Sequence, residues 1–352
     1  MEQKEVRPWG IWLTAMTLVL SLLLALGSAA RPAAVSCFGF GQKETRRVIP
    51  VGQTVGIKLF SRGVMVVGLA DVATEAGDAS PARACGLRTG DIITHIDGQQ
   101  VDSIEEVQSL LQATGGETLD IQLTRAGRTV ETQTAAVQCM KDGSYRLGAW
   151  IRDSMAGIGT VTYYDPDSGK FAALGHGIND IDTKSLMPLE SGGIMASTVT
   201  GVQTGEKGAP GELHGSFDLE RDMGTLYANT DQGVFGVTTE DAFTGESVPV
   251  AEKSEVKTGA ATILSNVEGD EVRAYQVEIL RIYRCSGQDS RSMMIHVTDS
   301  ELLEKTGGIV QGMSGSPILQ NGKLVGAVTH VLVNDPTCGY GIFAETMLEA
   351  GA

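Results

Sequence analysis

Beyond residue 50 the chain is built from short apolar runs cut by glycine-rich turns, and few of those runs keep a helical period. Residues 56–60 and 64–69 read as paired strands. Residues 92–96 read as a strand closed by the Asp97-Gly98 turn. Leu119, Ile121 and Leu123 alternate as a half-buried strand. Two helical segments interrupt them. One is short, from Ser80-Pro81-Ala82 to Gly86-Leu87. In the other, Ser103 caps and Glu106 completes a capping box, with Ile104, Val107, Leu110 and Leu111 on one face. After residue 140 the pattern is strands and loops. Residues 159–164 and 171–174 flank an Asp165-Pro166-Asp167-Ser168-Gly169 turn. Residues 318–320 and 323–328 flank Asn321-Gly322, a strong hairpin signal. Residues 190–224 are glycine-rich with little period and read as surface loop or as substrate subsites. The expected fold class is mainly β.

One apolar run is of a different kind. Residues 9–30 carry no charge and follow Lys4 and Arg7. At 1.5 Å per helical residue, such a run crosses a bilayer core of roughly 30 Å. This predicts a cytoplasmic segment 1–8, a transmembrane anchor 9–30 and a linker 31–49, with everything after Arg31 translocated. A cleaved signal peptide ending near Gly27-Ser28-Ala29-Ala30 is the competing reading. Either way, the body of the protein is expected to work outside the cytoplasm.

The 352 residues suffice for about two ordinary domains. A net charge of −16 argues against a nucleic-acid partner, which needs a basic face. Cys37, Cys85, Cys139, Cys285 and Cys338 are scattered without zinc-site spacing. No metal and no cofactor is implied. A bridge between Cys285 and Cys338 is one pairing that sequence leaves open.

The order from Ser80-Pro81-Ala82 through Gly86-Leu87, Gly90-Asp91 and Ile96-Asp97-Gly98 resembles a PDZ domain of the bacterial peptidase-associated type, over about residues 50–138. PDZ domains add an extended peptide as a strand and hold its terminal carboxylate on loop amides. The resemblance implies Val55, Gly56 and Ile57 as that loop.

Gly312-Met313-Ser314-Gly315-Ser316-Pro317 fits the nucleophile loop of chymotrypsin-like serine peptidases. An acyl-transfer nucleophile needs a tight turn that exposes its hydroxyl and aims backbone N–H groups at the oxyanion, which glycine permits. On that template Ser314 attacks and the amides of Gly312 and Ser314 form the oxyanion hole, within a double β-barrel over residues 140–352. Of five histidines, His95 falls in the PDZ-like segment, His214 in the glycine-rich stretch and His296 within a strand. His330 ends the hairpin's second strand, a place that lines a substrate pocket. His176, between two glycines after a strand, is best placed as general base. For the acid, Asp180, Asp182 and Asp299 remain open. Thr298 and Glu301 give Asp299 the alternative reading of a first-turn helix acid.

Leu174-Gly175-His176-Gly177-Ile178, Val297-Thr298-Asp299 and residues 305–317, with Thr329-His330-Val331, Asn334-Asp335-Pro336 and Gly339-Tyr340-Gly341, together resemble the SpoIVB peptidase family of endospore-forming bacteria. The resemblance runs over nearly the whole chain. It implies a membrane-associated serine endopeptidase with His176 as base, Asp299 as acid and Ser314 as nucleophile. Its implied substrates are itself and the regulatory subunit of an intramembrane metalloprotease complex, met in the space between the forespore membranes. That cleavage triggers processing of the late mother-cell sigma factor precursor. Met313 stands where digestive peptidases keep an activating Asp, so activation by that ion pair is excluded. A general HtrA-like envelope peptidase and an inert PDZ signalling scaffold are the rival readings.

Overall fold

The computed structural model describes residues 46–238, 242–284 and 290–352. The expected anchor 9–30, its flank 1–8, Cys37 and Cys285 lie outside the described residues. Among those described, no helix is long and apolar enough to cross a membrane, and Cys85, Cys139 and Cys338 are free thiols.

Strand β1 (Arg47–Pro50) leads into β2 (Thr54–Leu69), a strand of 16 residues. From Ile57 to Arg62, β2 alternates between buried and exposed positions. Val64, Met65 and Val66 are buried on both faces. The PDZ segment follows, with α1 (Pro81–Ala84), β3 (Ile92–Ile96), α2 (Ile104–Thr114), β4 (Thr118–Arg125) and β5 (Arg128–Ala135). The capping box at Ser103 and Glu106 forms as expected. Strand β6 (Ala149–Asp165) then returns antiparallel to β2 along nearly its full length, from Ala149 opposite Leu69 to Thr160 opposite Thr54.

Next come β7 (Lys170–Ala173), β8 (Leu189–Gln203), β9 (Glu212–Thr230) and β10 (Gly233–Thr238). The pairings β6–β7–β10–β9–β8–β2, with β2 joined again to β6, close a ring. Val55, Ile57, Val161, Phe171 and Ile194 pack in this barrel's core. A second closed barrel holds β11 (Gly259–Ser265), β12 (Arg273–Ile282), β13 (Met293–Val297), helix α3 (Ser300–Thr306), β14 (Pro317–Gln320), β15 (Lys323–Leu332) and β16 (Asp335–Phe343). Asn321 (φ 52°) and Gly322 (φ 74°) make the expected tight turn between β14 and β15. Ala172 and Phe235 of the first barrel meet Leu324 and Ile342 of the second, sealed by Met347 of α4 (Ala344–Ala350).

Three expectations need correction. The PDZ-like segment does not start at residue 50, because β1 and the first half of β2 belong to the first barrel. Val55, Gly56 and Ile57 are not an open carboxylate loop. They lie mid-strand, opposite Gly159, Ile158 and Gly157 on one side and Ala196, Met195 and Ile194 on the other. With ladders on both edges and Val55 fully buried, this segment has no amides to offer a peptide terminus. Residues 190–224 are no surface loop, since most lie in the paired strands β8 and β9. Several of their glycines sit where barrel walls crowd. A Cβ on Gly192 would lie 2.6 Å from the Lys58 carbonyl oxygen, and one on Gly224 2.6 Å from that of Val237.

Candidate active site

Ser314 sits on the loop between α3 and β14. Its neighbours Gly312 (φ 97°) and Gly315 (φ 99°) take left-handed backbone angles. A Cβ on Gly315 would collide with the Thr160 carbonyl oxygen, so only glycine lets the loop reach β6. Met313, fully buried in the second barrel's core, anchors it from below. Thr160 clamps it from the first barrel: its N–H donates to Ser314 O at 3.0 Å and its Oγ1 to Gly312 O at 2.7 Å. Both barrels therefore fix the Ser314 loop. Among the described residues, neither the Gly312 nor the Ser314 amide donates to a protein acceptor, as an oxyanion hole requires.

His176 follows β7 through Leu174 and Gly175, both at φ 68°. The Gly177 carbonyl lies 2.8 Å from His176 Nδ1. That bond assigns the proton to Nδ1 and leaves the Nε2 lone pair available, the tautomer a base needs. Burial lowers the His176 pKa below the ordinary imidazole value, only partly offset by the Gly177 bond. The ring is therefore neutral at neutral pH. His176, Gly312 and Ser314 line one cleft of about 350 Å³, whose walls come from β2, β6 and the segment 174–179. In the structure Ser314 Oγ donates to the Thr329 carbonyl at 2.8 Å, so the hydroxyl must rotate to meet His176. His330, next to Thr329, lies against the His176 ring at a tilt.

None of the three candidate acids meets the imidazole. Asp299 is the N-cap of α3: Oδ1 accepts from the Glu301 and Leu302 amides at 3.0 and 3.1 Å, and Oδ2 from the Gln276 amide at 3.1 Å. In the structure Asp299 therefore serves as a helix cap, with backbone amides on both of its oxygens and no hydrogen bond to His176 among the described residues, where the resemblance implies a catalytic acid. Asp180 is buried and paired with Arg152, and it accepts from the Thr183 amide at 2.7 Å. Burial alone would push its pKa up, but these bonds and the Arg152 charge hold it below the usual carboxylate value. Asp182 pairs with the same guanidinium at 2.9 Å. The group on His176 Nδ1 is a backbone carbonyl. Sequence reasoning missed this and the Thr160 clamp, since neither leaves a side-chain pattern to read.

Residues 143–348 match the family model described as SpoIVB peptidase S55, and residues 72–125 match that of a PDZ domain. The chain belongs to the SpoIVB peptidase S55 family. It is accordingly a peptidase with a PDZ domain attached. Among curated proteins, it is similar to a putative zinc metalloprotease of Bartonella henselae (30% identity, covering 25% of this chain and 24% of that protein). It is also similar to zinc metalloprotease RasP of Shouchella clausii (37% identity, covering 18% of this chain and 15% of that protein). The chain thus spans a quarter or less of the length of those relatives. Similar solved structures include Rv3671c protease from M. tuberculosis in its active form (TM-score 0.31, 16% identity, 69% of this chain and 82% of that one). Another is the PDZ domain of an SdrC-like protein from Listeria monocytogenes (TM-score 0.21, 24% identity, 26% and 87%).

Proposed function

We propose that this family member is a membrane-tethered serine endopeptidase of sporulation signalling, acting outside the cytoplasm in the space between the forespore membranes. Its substrates are itself and the regulatory subunit of an intramembrane metalloprotease complex, and the cut triggers processing of the late mother-cell sigma factor precursor. The observation that carries the peptidase reading is that Ser314, His176 and the Gly312 amide line a single cleft. Family membership supports the sporulation setting.

The chemistry follows from the geometry. A bound peptide draws Ser314 Oγ away from the Thr329 carbonyl. His176 Nε2 takes its proton as Oγ attacks the scissile carbonyl, and the Gly312 and Ser314 amides hold the oxyanion. His176 then hands the proton to the leaving amine, and water hydrolyses the acyl-enzyme by the reverse route. A second reading, an inert PDZ scaffold, draws on the lack of a carboxylate at His176 among its described contacts. Exposing the full-length protein to a fluorophosphonate probe separates the two. The peptidase labels at Ser314, and Ser314→Ala and His176→Ala both abolish labelling. A wild-type protein that stays unlabelled is the scaffold. Sequencing the N-termini of self-cleaved products then locates the cut.

A further inference from the structure

Strand β6 has one edge laddered to β2 from residue 149 to residue 160, and its pairing with β7 on the other edge begins only at Val161. Among the described residues, no strand covers that other edge over residues 154–159. Thr160 shows which backbone groups point there: its N–H goes to Ser314 O and its carbonyl accepts from the Leu174 amide, both away from β2. Thr54, opposite Thr160, likewise sends its N–H away from the ladder, to Asn266 Oδ1. With the strand period of two and no register shift between Ser154 and Thr160, the N–H and C=O of Ile158 and Ala156 face the same edge as those of Thr160. That edge opens on the catalytic cleft, where Ala156 and Gly157 are exposed.

From this placement we infer that the enzyme binds the part of its substrate C-terminal to the scissile bond as an added strand on β6, through Ile158 and Ala156. The inference rests on the peptidase reading above and adds which side of the cut is read. The side follows from proton transfer. His176 must protonate the leaving amine, so the leaving chain lies on the His176 side of Ser314, and that side is walled by Leu174, Ile178 and β6. Leading away from Ser314, this chain passes Ile158 and then Ala156, antiparallel to β6. Each pair of substrate residues advances about 6.8 Å, so reaching Ser154 takes about four residues beyond the cut. The wall beside this edge is apolar, formed by Ile57, Met155, Leu174 and Ile178. An apolar side chain soon after the cut fits it. Past Ser154 the same strand joins the PDZ sheet, where Asp153 accepts from the Ile104 amide at the start of α2 at 2.9 Å. The leaving segment is thus led towards the PDZ domain.

The test uses the full-length protein and a library of random-sequence peptides, with products read by mass spectrometry. The expected result is enrichment of Leu, Ile, Val or Met just after the cut, and a rise of about tenfold in kcat/KM as downstream length grows from one to four residues, which one or two net hydrogen bonds supply. Ala156→Pro, which removes a cleft-facing N–H, should flatten that length dependence, while Ala156→Gly keeps it. Selection confined to residues before the cut, or rates independent of downstream length, would overturn the inference and leave the peptidase reading intact. Peptides left uncut by a protein whose Ser314 labels would also overturn it. Failure of Ser314 to label would instead sink the peptidase reading.

Discussion

The rings of His176 and His330 lie against each other, with centroids 5.0 Å apart and planes tilted by 38°. His330 thereby limits the rotation of the His176 ring, in addition to the expected role beside substrate. His330→Ala should lower kcat/KM about tenfold by loosening His176, as misplacement of a catalytic group does. His330→Phe, which keeps a ring there, should restore most of the loss. Comparing rates of Ser314 labelling and peptide cleavage in the two variants checks this.

The pH profile carries a sign. In the proposed role of general base His176 must be neutral, and burial lowers its pKa. The acid limb of kcat/KM should therefore fall below about 6.5, the ordinary imidazole value, with activity retained down to that limb and lost as pH drops through it. A limb above 6.5 would mean that a carboxylate joins His176 in the working enzyme, since a nearby negative charge raises an imidazole pKa.

Asp299 offers a direct contrast between cap and acid. As a cap, Asp299→Asn should keep activity and most of the stability, because the Asn carbonyl still accepts from the Glu301 and Leu302 amides, while its NH2 group cannot accept from the Gln276 amide. Asp299→Ala should cost about 1 kcal/mol, seen as a lower Tm. Were Asp299 instead the group that holds the base, Asn would drop kcat by roughly 10⁴ with the fold unchanged.

Arg152 pairs with the buried Asp180 and the exposed Asp182 in the loop that follows His176. Arg152→Ala leaves a buried carboxylate without its cation, so a loss of about 3 kcal/mol is expected in denaturant unfolding. Arg152→Lys should recover part of it. Equal stability of the Ala variant would show that the Thr183 and Asp182 amides suffice for Asp180.

Gly315→Ala should destabilise the protein by about 3 kcal/mol, because the new methyl meets the backbone of Thr160 and neither loop nor strand can yield. Thermal unfolding reads this directly, and loss of Ser314 labelling should accompany it.

Local signals were legible from the sequence wherever one residue type had one physical use. Asn321-Gly322 forms its tight turn, Ser103 and Glu106 form their box, and Ser314 and His176 share a cleft. What could not be read was which distant strand each segment meets. Residues 54–61 have the alternation of a strand, but nothing in it distinguishes a barrel from a PDZ sheet. Glycines at 192 and 224 suggest a loop until the opposing backbone that excludes a Cβ is known. Asp299 illustrates a different limit. One carboxylate at a helix start suits capping and catalysis alike, and only its hydrogen-bond partners tell them apart.

Because β2 and β6 are neighbours in the first barrel yet flank the whole PDZ segment, closing that barrel means joining chain ends some 80 residues apart. A folded PDZ module holds those ends side by side and removes most of the closure entropy, whereas an unfolded one leaves it in full. The Ser314 loop, braced on Thr160 of β6, draws one of its two supports from that closed barrel. The fold of the intervening segment thus bears directly on how firmly the Ser314 loop is held.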